Sequence, residues 1–280
     1  MQISNIKNKT AVLLLNYNSW NETIEISKKI VESFNINWKD IIIIDNNSND
    51  DSNKQLKENK KLGYIFLESN INGGYAYGNN IGLKYAKNNN YDYAWIVNND
   101  IIINDKEYLN KVIDVFKKDE KIAVVNSDIY SPDNYLYNRD SKKPSFFDYT
   151  LGLLNYRKKG RNVVDLGGYA YIYKPQGCCM VLDVNKIDEI DYLDEKTFLY
   201  HEENILAERL LKKEYRCCIC LNTSVIHNHS KIVKSNIKKS RFIKINNESF
   251  EYYLREYRRF NKFEVSICKL FNTLKLILLD

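Results

Sequence analysis

Three polar clusters in this chain carry residue types that can do chemistry. The first is Asn98-Asn99-Asp100, which follows the apolar run Ala94–Val97 and precedes Ile101–Ile103. A carboxylate there can hold a metal ion or a ligand at a strand's carboxyl end, where open α/β sheets bind ligands. An Asx-type turn closing the strand fits the same residues. The second cluster is Glu202-Glu203, preceded by Phe198-Leu199-Tyr200-His201. An acid at the start of a helix can serve as a general base, and aromatic neighbours would raise its pKa by partial burial. Acids in a first helical turn also complement the helix dipole, which stabilises by about 0.3–1 kcal/mol; the local residues favour that plainer reading. The third cluster is His227-Asn228-His229-Ser230. Two histidines at i and i+2 share a face if extended, and neutral imidazole suits a divalent ion also held by Asp100. A hydrogen-bonded histidine with no ligand is the alternative.

The surrounding pattern must position these groups. Thr10–Leu15, Ile41–Ile44, Tyr64–Leu67, Tyr93–Val97 and Ile122–Asn126 are apolar runs of strand length. Between them, helices are expected from Asn18 or Ser19 to about Phe34, after Ser48 or Asp50, over Tyr75–Asn88 and over Lys106–Lys118. Strands alternating with helices at this spacing predict an α/β fold, a doubly wound and mostly parallel sheet. Asn16, Asp45, Asn72 and Asp100 each follow the carboxyl end of a strand. In a parallel sheet those ends share one edge, so four clusters converge on one crevice, and the convergence favours ligand contact at Asn98–Asp100.

Beyond the fifth strand the pattern loosens. Ser127–Gly168 holds Pro132, Pro144, several lysines and aromatics and little periodicity, and no element is assigned to it. Tyr169–Tyr173 and Gly177–Leu182 read as two strands around Lys174-Pro175-Gln176, with Gly177 where a side chain is excluded. Val184–Ile190 and Glu202–Lys213 read as helices, and Arg216–Ile226 as a strand. The glycines of Asn72–Gly82 either let backbone approach a phosphate or serve a loop with positive φ. They match neither a Walker A loop nor a dinucleotide fingerprint.

Composition sets the outer bounds. A chain of 280 residues with 44% hydrophobic content supports one large domain with or without a helical extension. The net charge of +6 is modest. Basic stretches at Lys231–Lys244 and Arg255–Lys262 fit an anionic partner, phosphate or a membrane surface, or else a solvated face. No nucleic-acid partner is expected. Met1–Lys9 is polar and lacks the apolar core of a signal peptide, so a reducing cytoplasm and free thiols are expected for the six cysteines. Cys217-Cys218-Ile219-Cys220 lacks a second pair at zinc-site spacing and reads as core packing. No run reaches the ~20 apolar residues that cross a bilayer. Val265–Leu279 is apolar around much of its circumference and fits an interfacial helix on a membrane, a domain contact or a dimer contact.

Taken in order, VLLLNYN (Val12–Asn18), IIIDNNSND (Ile42–Asp50), NINGGYAYGNNIG (Asn70–Gly82), WIVNNDI (Trp95–Ile101), GCCMVL (Gly177–Leu182), LDEKTFLYHEENILAERL (Leu193–Leu210) and VIHNHS (Val225–Ser230) resemble the inverting glycosyltransferases of family 2. The resemblance is nearest to bacterial rhamnosyl-, galactosyl- and galactofuranosyltransferases. It implies a GT-A domain over residues 1–230 with a helical extension over 231–280, which is free to contact a membrane or a second subunit. It also implies a UDP-, dTDP- or GDP-linked sugar donor, Mg²⁺ or Mn²⁺, and a saccharide or polyprenyl-diphosphate-linked acceptor in capsule or lipopolysaccharide synthesis.

By the same resemblance, Asn16 and Asn18 border the nucleoside and Asp45 pairs with the base or ribose. Asn72 and Asn80 line the donor pocket, and Gly177 borders the acceptor. Asn98 and Asp100 stand where the family carries its metal-binding DxD element, with His227 as a further metal-side contact. The catalytic base falls on the acid pair, at Glu203, with Glu202 as its orienting partner or substitute. Three departures stand out: Asn98 replaces an Asp, Glu203 replaces the commoner Asp, and Ile205 replaces a second acid. Two rival readings are a nucleotidyltransferase and a non-catalytic nucleotide-sugar-binding protein. The first wants a basic, glycine-rich loop after the first strand, and Asn16–Asn21 has none.

Overall fold

The computed structural model describes residues 9–152, 163–228 and 239–278. The expected alternation is present: β1 (Thr10–Asn16), α1 (Trp20–Ser33), β2 (Ile41–Asp45), α2 (Ser52–Glu58), β3 (Ile65–Glu68), α3 (Gly74–Asn88), β4 (Tyr93–Val97), β5 (Ile101–Ile102), α4 (Tyr108–Phe116) and β6 (Ile122–Tyr130). Then come α5 (Phe146–Tyr149), β7 (Tyr169–Ile172), β8 (Cys179–Asp183), α6 (Val184–Glu189), α7 (Glu202–Lys212) and β9 (Arg216–His227). Two long helices follow, α8 (Lys239–Tyr252) and α9 (Lys262–Leu278), joined through a π-helical turn at Tyr253–Tyr257.

The described strands form one mixed sheet in the order β3-β2-β1-β4-β8-β6-β9-β5, with β7 also on β9. Its first half is parallel, as β1 pairs with β2 and β4 and β2 pairs with β3. β8 then runs antiparallel between β4 and β6, and β9 is parallel to β6. β1–β4, β6 and β9 therefore point one way and end on a single edge. The two strands expected around Lys174–Gln176 exist but do not pair: β7 lies on β9, and β8 fills the sheet's centre.

The strands are apolar throughout because both faces are covered. Val12, Leu14, Ile41 and Ile43 join the core beneath α1, α2 and α4. Ala11, Leu13, Ile42 and Ile44 join the core beneath α3, α6 and α7. Each buried Leu or Ile contributes about 1.5–3 kcal/mol over an exposed one, which makes the four-isoleucine β2 a strong anchor. α3 packs close to the sheet because Gly78 and Gly82 face it: a Cβ on Gly78 would meet Leu15 at 2.4 Å and one on Gly82 would meet Ile44 at 2.9 Å. These glycines serve packing; only Gly74 of the helix takes a positive φ, +87°. The cysteines are free and buried, those of β9 within the two cores.

α8 and α9 close a third core with Ile205 of α7, through Phe250, Tyr253, Leu254, Val265 and Cys268. A buried polar knot backs it. Glu208 accepts from Lys143 and from the Tyr173 hydroxyl, both at 2.6 Å, and the Tyr173 and Tyr253 hydroxyls lie 2.9 Å apart. No described helix is long and apolar enough to cross a membrane. Within Ser127–Gly168, β6 runs on to Tyr130 and α5 has a Ser145–Asp148 capping box.

Candidate active site

The carboxyl edge of the sheet begins with an amide network. Asn16, fully buried at the end of β1, donates to Asp45 Oδ1 at 2.9 Å and to Ser48 Oγ at 3.2 Å. Its own oxygen accepts from Thr23 at 3.0 Å. Asp45, 1% exposed, also accepts from the Ser48 hydroxyl and from Asn53 at 3.2 Å. The resemblance places Asn16 and Asp45 against the nucleoside; in the structure both are buried, and their hydrogen bonds hold the β1 and β2 loops together. Ser48 is occupied there as well, so α2 starts at Ser52, with Asp50 accepting from its N–H at 2.9 Å. Asn18 stays half-buried at the rim, with φ of 53°. It exchanges hydrogen bonds with Asn49 at 2.7 and 2.9 Å.

Asn72 caps α3, accepting from the Gly74 N–H at 3.2 Å and from Asn46 at 3.1 Å. Asn80 is engaged within the protein. Its amide is buried and clasps the Leu193 backbone from both sides, at 2.8 and 3.0 Å, and also reaches Glu195. It tethers the segment leading to α7.

At the end of β4, Asn98 and Asp100 are half-buried, and Asn99 turns aside to hold Ser19 at 2.9 Å. Asp100 Oδ1 lies 3.2 Å from His227 Nε2. The Tyr137 hydroxyl bonds the other ring nitrogen of His227 at 2.7 Å, which leaves Nε2 facing the carboxylate. β5 pairs with the end of β9 and brings the two residues together. His229 lies outside the described residues.

The acid pair arrives by a strained route. Tyr200 and His201 take φ of 73° and 67°, two successive left-handed residues before α7, a conformation costing roughly 1–2 kcal/mol per residue. Tertiary contacts hold it. The His201 ring stacks on Phe250 at 4.8 Å, and Ser249 donates to the Leu199 carbonyl at 2.8 Å. Tyr75 N–H donates to the Phe198 carbonyl at 3.0 Å. Asp194 accepts from Tyr252 at 2.8 Å and from Tyr257. Burial, and then Lys174, push the His201 imidazole down to about 3, so it is neutral.

The two acids differ. Glu202 is buried, and one of its oxygens has no hydrogen-bond partner. Burial first, then the Glu203 charge, push its pKa up to about 8. Glu203 is half-buried, and its Oε1 accepts from the Gly177 N–H at 3.1 Å. A Cβ at Gly177 would meet the Tyr75 hydroxyl at 2.8 Å and Glu203 Oε1 at 3.0 Å, so a side chain there would displace one or both groups. The neighbouring Cys178 carbonyl accepts from the Asn98 N–H at 2.8 Å. Consecutive residues thus hold Glu203 and the β4 end, and the Cys178 thiol is pushed well up by burial and by charges that include Asp100 and Glu203.

Several participants were not singled out in the sequence. Asn126 donates to the Gln176 and Cys179 carbonyls and so shapes the Gly177 loop. Tyr75 donates to the Gly177 carbonyl at 2.7 Å. Burial opposes the Lys174 ammonium, but Asp140, at 3.3 Å, and Glu203 outweigh it and hold its pKa above the ordinary value. Only Tyr75 carried a local signal, as the residue after Gly73-Gly74. A cavity of about 700 Å³ lies away from this edge, between Asn80, Arg209, Tyr252 and Tyr257.

A sheet edge of amide and acid loops, faced by an acid pair on a helix start, is the arrangement of a GT-A glycosyltransferase. The profile described as "Glycosyl transferase family 2" matches residues 11–176, and the chain belongs to that family. Its relatives include the low-salt glycan biosynthesis hexosyltransferase Agl10 of Haloferax volcanii, 23% identical over 255 residues, 89% of this chain and 74% of that protein. Among solved structures, the mannosyltransferase PcManGT of Pyrobaculum calidifontis, in complex with GDP-Man and Mn²⁺, superposes with a TM-score of 0.60 at 12% identity, covering 96% of this chain and 70% of that one. GalNAc-T7 with UDP, GalNAc and Mn²⁺ gives 0.59 at 14% identity, covering 94% and 53%.

Proposed function

We propose that this glycosyltransferase moves a hexosyl group from a nucleotide sugar to a saccharide or lipid-linked saccharide, with inversion, on the cytoplasmic side of bacterial surface-polysaccharide synthesis such as capsule or lipopolysaccharide. The observation that carries the proposal is the Gly177–Cys178 junction, which holds Glu203 and the β4 end on adjacent residues.

Glu203 is the base. It takes the acceptor hydroxyl's proton as that oxygen forms its bond to the anomeric carbon and the bond to the diphosphate breaks. Gly177 fixes one carboxylate oxygen and leaves the other for substrate. Glu202 is held protonated near neutral pH beneath it, which avoids a second charge beside the base. Asn18, Asn72 and Asn98 are the rim amides available to the donor, with Asn16 and Asp45 bracing them from below.

Asp100 and His227 fit a divalent ion as a two-ligand set whose other positions fall to phosphate oxygens and water. The described residues hold no group of three His, Cys, Asp or Glu that would make a closed protein site. Bound Mg²⁺ or Mn²⁺ would neutralise charge on the departing diphosphate. PcManGT and GalNAc-T7, with Mn²⁺ and nucleotide or nucleotide sugar, lend support by shared fold.

Thermal stabilisation by a panel of UDP-, dTDP- and GDP-sugars with Mn²⁺ tests the donor. A shift of several degrees with one nucleotide is expected. No shift with any of them would remove the transferase reading.

A further inference from the structure

α9 is apolar on two sides. Its inner side, Val265 and Cys268, belongs to the third core. Its outer side carries Phe263, Leu270, Leu274, Ile277 and Leu278, exposed by 74, 58, 43, 49 and 78%. At about 100° per residue, these side chains together with Ile267 and Phe271 fill an arc of about 120° with no polar residue in it. A helix on a domain surface ordinarily turns a polar face outward, so this stripe calls for an occupant.

The charge around it says which. Residues 239–278 hold nine Lys or Arg against four Asp or Glu, while the whole chain has a net charge of +6. The acids there are partly spent: Glu251 binds Lys269 and Arg255, and Glu248 lies 3.9 Å from Lys244. Arg241, Arg259 and Lys262 are exposed and in no ion pair among the described residues. An apolar stripe set among surplus cations complements an anionic lipid surface, with the stripe at the acyl boundary and the cations at the headgroups. A second copy of the chain would bring the same positive charge to the contact.

The placement is apt as well. The Lys239 ammonium reaches the Ile277 carbonyl at 3.3 Å, so the end of α9 lies beside the start of α8. Phe242 of α8 packs on Tyr200 at 5.2 Å, two residues before the acid pair. The stripe therefore ends near the segment that carries Glu203.

We infer that the outer face of α9 docks the protein on an anionic bilayer, lying on the surface without crossing it. This deepens the proposed function by naming where a lipid-linked acceptor would be met, but its test does not depend on transfer. The purified full chain is sedimented with phosphatidylcholine vesicles with and without phosphatidylglycerol. Binding to the anionic vesicles alone is expected, weakening as salt is raised. Leu270→Glu/Leu274→Glu should lower that binding at least tenfold with an unchanged melting temperature. Charge reversal at Arg241, Arg259 and Lys262 should lower it while leaving the stripe intact. Equal sedimentation of wild type and the leucine variant would overturn the inference, as would a wild-type dimer in velocity sedimentation that the leucine variant dissolves. The nucleotide-sugar melting shift, measured on the same samples, tells loss of this inference from loss of the transferase reading.

Discussion

The two sides of the crevice are built on different plans. The amide side, from Asn16 to Asn53, is local: its polar residues lie on the β1–α1 and β2–α2 connections and in the first turns of those two helices. The acid side is assembled from afar. Glu203 is held by Gly177, Gly177 by Tyr75 across 102 residues, and the turn before Glu202 by Ser249 and Phe250 of α8. A local network can be rigid without the rest of the protein. A long-range one positions Glu203 only when α3, the Gly177 loop and α8 are all docked. The difference teaches that donor binding and turnover should fail separately.

Glu203→Gln should have the largest effect, lowering kcat by about 10²–10⁴-fold, the usual worth of a general base, with the donor-induced melting shift unchanged. If donor affinity fell equally, the division between the two sides would break. Gly177→Ala comes next. Its methyl would push against Tyr75 and Glu203, and about 1 Å of displacement can cost 10²-fold in rate; intact donor binding by calorimetry would sharpen the comparison. Asp100→Ala probes the other side, and a roughly tenfold or greater loss of metal-supported donor affinity is expected from titration with Mn²⁺. Phe250→Ala should destabilise by about 3–5 kcal/mol in denaturant. Below its melting transition it should also lower kcat more than KM, because His201 keeps only Tyr253 of its two stacking partners.

The smallest effect is one of pH. The Glu202 pKa is raised to about 8 in the folded protein from 4.5, so the native state binds the extra proton between those values. Stability from this group is fully present below pH ~4.5 and is lost as pH rises through ~8. Glu202→Gln should therefore melt several degrees above wild type at pH 9 and near it at pH 5. A constant difference across that range would mean that Glu202 is already ionised at neutral pH.

The amide side was largely legible in the sequence because strand ends announce themselves: apolar runs such as Ile41–Ile44 stop abruptly at Asp45 and Asn46. What misled there was burial. Nothing local distinguishes an Asn that faces solvent, like Asn18, from one that props the floor, like Asn16, or from one turned to another segment, like Asn80. The acid side was hidden for a different reason. Two acids in a first turn suit any helix, and the residues that make them a site, Tyr75, Gly177 and Phe250, meet only after β8 has slipped antiparallel into the middle of the sheet. No periodicity announces that insertion. The membership of β7 and β8 in the sheet was readable, but their partners were not.

The six thiols have a practical consequence. All are buried, and burial alone pushes Cys217 up to about 12, while it drives Cys179 up to about 11 against two hydrogen bonds. A maleimide or disulfide reagent should find almost no thiolate on the folded chain. Cys179, Cys217, Cys218 and Cys220 lie in strands on either side of β6, and Cys268 lies on the inner side of α9. Labelling followed by peptide mapping would then act as a built-in clock, timing how often the sheet's centre opens and whether the C-terminal helices peel away first.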